Sequence, residues 1–289
     1  MNKSKLPLII LPLLLVWAAA LILASFIDLD LSLAVADPLS GFGRALEIIG
    51  EPPAILFTSF NFALLIAYFQ KKPERQRRDN VLTVLSLIGM VGAAFYTIYQ
   101  TFDYIAEYRS DLSGSEITTG PAELMASMLI CIVICGAMLF FSSRLSYDTL
   151  QRVQNAAAHC VFAAISTLVI IWCFKLIWGR VRFRQLDGDY SRFTPWYLPQ
   201  GFTGYFSFPS GHTANAAVIF TATYYLRFLP ERLRRLKPLA WGLLSAWIVL
   251  LALSRVLVGA HYLSDVLCGA MITFIIVYFW KPKDAEPTA

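Results

Sequence analysis

Two histidines, His212 and His261, occur with three cations, Lys175, Arg182 and Arg255, in the C-terminal half of the chain. They fall in three short pieces. Lys175 and Arg182 are seven residues apart. Pro209-Ser210-Gly211-His212 opens an apolar run, and Ser254-Arg255 is followed by His261 and then Asp265. Three positive charges suit one anion: arginine grips phosphate through two parallel N–H groups, and lysine acts as a point charge. Proline suits the first turn of a helix. The free backbone N–H groups and positive end found there attract an anion, and Gly211 lets the backbone approach it closely. His261 and Asp265 share a face if a helix has begun by His261. The carboxylate then accepts a hydrogen bond from one ring nitrogen, fixes the tautomer and leaves the other nitrogen free to attack. His212 is then the acid that protonates a leaving oxygen.

Each piece also has a plainer reading. A histidine near a membrane interface is usually structural, and arginines at helix ends snorkel to headgroups. A Ser-Gly pair at a helix start is often only a cap. The joint occurrence favours chemistry, because the chain has only three histidines. His159, the third, lies at the other end of its apolar run and reads as structural.

The elements that must position these residues are helices in a bilayer. Hydrophobic residues make up 57% of the 289 and charged ones only 15%, against about 25% in soluble domains. Apolar runs near residues 6–27, 52–70, 81–106, 122–142, 156–178, 209–227, 238–258 and 263–280 approach the roughly 20 residues of a spanning helix. The expected fold is all-α, a polytopic bundle of about eight transmembrane helices. With no repeat or low-complexity stretch, it reads as one domain over 1–289. Lys3 and Lys5 before the first run, and Ala34-Val35-Ala36 after it, resemble a signal peptide. The run exceeds a typical h-region, so an uncleaved helix is expected. The five cysteines lie in apolar runs without a CxxC pair, as buried apolar residues rather than metal ligands.

With the N-terminus inside, 16 of the 24 Lys and Arg fall in cytoplasmic segments, as the positive-inside rule requires. Both termini are then cytoplasmic, and the three chemical pieces share the non-cytoplasmic face. The net charge of +5 reflects basic inner loops rather than nucleic-acid binding. Residues 37–50 are expected as a short helix on the outer surface, and 107–121 as an exposed outer loop. Arg180 and Arg184 beside the first piece read as solvated loop charges or contacts to a second phosphate. Asp103 and Glu123, at the outer ends of their runs, read first as interfacial and second as neighbours of the site.

At these residues the sequence resembles the type 2 phosphatidic acid phosphatase (PAP2) superfamily, whose signature is K-x6-R-P, then P-S-G-H, then S-R-x5-H-x3-D. This chain reads Lys175-x6-Arg182-Phe183, Pro209-Ser210-Gly211-His212 and Ser254-Arg255-x5-His261-x3-Asp265. Phe183 stands where the family has proline, and the signature covers residues 175–265. The common members have six helices, so the runs near 81–106 and 122–142 are an elaboration. The resemblance implies a phosphohistidine on His261, with Asp265 orienting it and His212 as acid. Lys175, Arg182, Ser210, Gly211, His212 and Arg255 would hold the phosphoryl oxygens. It also implies a phosphoric monoester hydrolase that needs no metal or cofactor. Its substrate would be a phospholipid or polyprenyl phosphate: phosphatidic acid, phosphatidylglycerol phosphate or undecaprenyl diphosphate. A lipid phosphotransferase using the same phosphohistidine, and a transporter or scaffold without catalysis, are the alternatives.

Overall fold

The computed structural model describes residues 6–282. Lys3, Lys5 and Lys283, and with them both termini, lie outside the described residues. The described chain is helical, with no strand. Its α-helices are α1 (Leu6–Val35), α2 (Gly41–Ile49), α3 (Pro52–Lys71), α4 (Arg77–Ser113), α5 (Pro121–Ser143), α6 (Tyr147–Trp178), α7 (Gly211–Ala217), α8 (Glu231–Arg234), α9 (Lys237–Leu257) and α10 (Leu263–Phe279). Short 3₁₀ turns at Phe183–Gln185 and Tyr190–Arg192 interrupt the loop after α6, and an eleven-residue 3₁₀ helix, Val218–Phe228, continues α7.

Among the described residues, six helical stretches are long and apolar enough to cross a membrane, carried by α1, α3, α4, α5, α6 and α9; α10 is shorter, at 17 residues. The expected run at 209–227 is not one α-helix. Seven α-helical residues are followed by eleven 3₁₀ residues. Thr221 and Thr223 donate their hydroxyls to the carbonyls three residues back, on Val218 and Phe220, which matches the three-residue turn. At 1.5 and 2.0 Å per residue this mixed helix is about 32 Å long, near the roughly 30 Å hydrocarbon thickness.

α3 is the central staff. One apolar cluster fixes it to α4 and α5 through Ala63, Met90, Ala94 and Cys131. A second fixes it to α6 through Leu64, Leu150 and Ala157. A third packs α6 against the 3₁₀ helix, α9 and α10 through Cys160, Phe220, Ile248 and Ile276. Outward, side chains such as Phe26, Ile132 and Val133 are exposed and apolar, as a lipid-facing surface requires. Antiparallel packing brings the end of α1, the starts of α3, α7 and α10, and the ends of α4, α6 and α9 to one end of the bundle. At the opposite end, Lys71 donates to the carbonyls of Ser143 and Leu145. His159 is there too, bonded to the Trp280 carbonyl. A groove of about 530 Å³ runs between α1, α9 and α10, with no charged residue in its lining.

Helix α2 is not the surface helix expected over 37–50. Arg44 and Glu47 are buried beneath it. Its polar face meets an ion network instead of water, and the sequence pattern is the same in both cases.

Candidate active site

The first motif is set by a helix end. Gly179 adopts a left-handed conformation (φ +52°) and its N–H closes on the Lys175 carbonyl at 3.2 Å. The left-handed turn stops α6 and swings the chain toward Arg180 and Arg182. Lys175, in the last turn, donates Nζ to the Phe206 carbonyl at 2.6 Å, and its stem packs over Gly211. The Arg182 side chain has no hydrogen-bond or ion-pair partner among the described residues, and its carbonyl accepts the Gln185 N–H at 3.0 Å.

The second motif is a cap. α7 begins at Gly211, and Ser210 is its N-cap, its hydroxyl accepting the Thr213 N–H at 3.3 Å. Pro209 therefore precedes the helix rather than sitting in its first turn. The hydroxyl of Ser210 is taken up by the cap, and its backbone N–H donates to the Asp265 carbonyl at 2.9 Å. Gly269 of α10 lies directly against the Ser210 backbone, where a Cβ would collide.

The third motif is a turn. Arg255, in the last turn of α9, is fully buried and donates to Glu47 at 2.6 Å and to the Gly43 carbonyl at 2.8 Å. Gly259 turns the chain at φ +64°, and the N–H of His261 returns to the Arg255 carbonyl at 3.2 Å. α10 starts only at Leu263. His261 and Asp265 are thus brought together by this turn rather than by a shared helical face. Nδ1 of His261 is 3.6 Å from Oδ2 of Asp265, beyond hydrogen-bond reach.

Asp265 is held by other groups. Its Oδ2 accepts the Tyr262 N–H at 3.0 Å, capping α10, and the Ser207 hydroxyl at 2.5 Å. Its Oδ1 accepts Arg180 at 2.6 Å. Arg180 also donates to Asp28 of α1 at 3.0 Å and to Ser264 at 2.8 Å, and lies over the Tyr262 ring. Arg180 is buried, so the reading of it as a solvated loop charge is wrong. Asp28, an ionisable residue in the apolar first run, was the available signal.

His212 and His261 face each other with ring centres 6.4 Å apart. One tetrahedral group can touch both, since near-attack distances are about 3–3.5 Å. Both rings and Arg182 line a polar cavity of about 230 Å³. Lys175, Arg255, Ser210 and Asp265 stand behind that wall. His261 is 2% exposed; its burial pushes the imidazole down to about 3, with Asp265 pulling the other way and Lys175 reinforcing the fall. The ring is therefore held neutral near pH 7.

Three further residues at the cavity were missed by sequence reasoning. Glu47 joins Arg44 and Arg255. Glu51 stands 3.9 Å from Nδ1 of His212 and accepts from Asn215 at 3.1 Å. Tyr104 of α4 packs on the His212 ring, 5.1 Å between centres. Asp103, expected at the interface, lines the cavity. Glu123 instead caps α5 by accepting the Gly120 N–H.

The model of the PAP2 superfamily matches residues 155–285. Phosphatidylglycerophosphatase B of Bacillus subtilis is 30% identical over 178 residues, 60% of this chain and 76% of that protein. Lipid A 1-phosphatases of Rhizobium johnstonii and Rhizobium etli are 28% and 30% identical over 148 and 164 residues. These matches cover 48% and 53% of this chain and 55% and 63% of the two relatives. No solved structure matches the chain.

Proposed function

The chain belongs to the PAP2 superfamily, and from that premise we propose that it is a multi-pass membrane phosphatase acting on a lipid phosphate or diphosphate. The observation that carries this reading is the pair His212 and His261 facing one polar cavity that Arg182 also lines. The free nitrogen of His261 attacks phosphorus, and the bond to the lipid oxygen breaks. His212 gives its proton to that oxygen. Water then attacks the phosphohistidine, passes a proton back to His212, and leaves inorganic phosphate with His261 restored. Asp265 orients His261. Lys175, Arg182, Arg255 and the backbone N–H of Gly211 balance charge on the phosphoryl oxygens. No step needs a metal.

The named relatives act on a glycerophospholipid phosphate and on lipid A, which supports a lipid substrate. Residues of α1, α2 and α3 (Asp28, Glu47 and Glu51) reach the motifs. That supports reading 1–289 as one domain, although the family match begins at 155. The loop charges favour a site on the non-cytoplasmic side.

The test is phosphate release by purified protein in detergent with EDTA, across phosphatidic acid, phosphatidylglycerol phosphate and undecaprenyl diphosphate. Release should survive EDTA and vanish in His261→Ala. Release that persists in that variant, or that stops with EDTA, rejects the mechanism.

A further inference from the structure

Helix α4 forms the cavity wall beside His212. Gln100, Asp103, Tyr104 and Glu107 line it, spaced as one face of a helix. On the phosphatase reading above, on which this inference rests, His212 protonates the leaving oxygen. The alcohol part of the substrate then lies against its neighbours, and Tyr104 is the side chain packed on that ring, 5.1 Å between centres and tilted by 40°.

The charges around the cavity fall into two groups. Arg44, Arg184 and Arg255 are joined to Glu47, Glu107 and Asp111 in one network, buried at Arg44, Arg255 and Glu47 and open to solvent at Glu107 and Asp111. Among the described residues near the cavity, only Lys175 and Arg182 are cations with no carboxylate within 4 Å. Two positive charges match one phosphate monoester, which carries up to about two negative charges near neutral pH. The second phosphate of a diphosphate would add charge on the α4 side, against Asp103 and Glu107. Asp103 has no cation partner among the described residues and accepts only a long 3.4 Å bond from Thr119. It is an open acceptor for hydroxyl groups. An independent sign of a ligand here is Nε2 of His212, a buried ring nitrogen on the same cavity wall that has no hydrogen-bond partner among the described residues.

We infer that the α4 face is a leaving-group subsite. It selects a phosphate monoester whose alcohol bears further hydroxyls, such as a sugar, over a plain diacylglycerol phosphate and over a diphosphate.

The experiment compares kcat/KM for a diacylated glucosamine 1-phosphate, phosphatidic acid and a polyprenyl diphosphate. The sugar phosphate should lead by about tenfold or more, as expected where a half-buried acceptor awaits a substrate hydroxyl. Asp103→Asn should shrink its lead over phosphatidic acid. Glu107→Gln releases Arg184, so turnover of the diphosphate relative to phosphatidic acid should rise about tenfold. A gain of this kind cannot come from misfolding. A diphosphate used as well as the monoesters, with its relative turnover unchanged by Glu107→Gln, overturns the inference alone. A lead of the sugar phosphate that is absent, or unaffected by Asp103→Asn, also overturns it. No release from any of the three overturns the phosphatase reading as well.

Discussion

Oδ1 of Asp265 accepts a hydrogen bond from Arg180 at 2.6 Å, whereas Oδ2 of the same carboxylate stops 3.6 Å short of His261 Nδ1. The acid four residues from the histidine is therefore anchored first by an arginine, and that arginine is anchored by Asp28 of α1. The first helix of the chain thus reaches the carboxylate beside His261 through the Arg180 side chain. Less than 1 Å of movement would convert the 3.6 Å approach into a hydrogen bond.

The buried triad sets a stability expectation. Arg180→Ala leaves Asp28 and Asp265 facing each other without their cation in a dry site. Removing one member of such a network costs roughly 3–5 kcal/mol. Asp28→Asn keeps the Arg180–Asp265 pair and should cost clearly less. Thermal unfolding in detergent checks the order. Equal midpoints for Arg180→Ala and the wild type would show that the network holds nothing together.

His261 sets a pH expectation. Its folded pKa of about 3 lies below the unfolded value of 6.5, so the unfolded chain binds a proton that the folded one refuses. Stability from this group is present above pH 6.5 and is lost as pH falls from there toward 3, by about 1.4 kcal/mol per pH unit. Asp265, Lys175, Arg182 and His212 surround the ring and titrate or act in both wild type and variant. The difference between wild type and His261→Gln isolates the term. From pH 8 to pH 5 the wild type should lose about 2 kcal/mol relative to the variant. A difference that stays constant over that range means the ring is not held neutral by burial.

What could be read from the sequence was local. Long apolar runs gave α1, α3, α4, α5, α6 and α9, because helix length against bilayer thickness is a property of one segment. His212, His261, Arg182 and Asp265 announced themselves by residue type and spacing. The misread residues all depend on distant partners. Arg180 looked like a loop charge because its partner Asp28 is 152 residues upstream. Arg44 and Glu47 looked amphipathic, and a polar helix face reads alike whether water or a buried arginine covers it. α4 was an elaboration without a role until its face met His212.

Glu51 gives the last prediction. His212 is crowded by Arg182, Lys175 and Arg255, and an acid that must carry a proton there needs a nearby anion. Glu51, 4% exposed at the start of α3, is the carboxylate closest to its ring, 3.9 Å from Nδ1. Glu51→Gln keeps the acceptor for Asn215 and removes a carboxyl group that burial pushes up to about 7, where it can exchange a proton with His212. Protonation of the leaving oxygen should weaken, on the order of 10²-fold within the range for general acid catalysis. The loss should depend on the leaving group. Alkyl phosphates, whose alkoxide needs the proton, should suffer; an aryl phosphate such as p-nitrophenyl phosphate should be turned over nearly as before. Retained aryl turnover also shows that the variant is folded. If both substrate types fall equally, Glu51 supports the fold of the site and not the proton of His212.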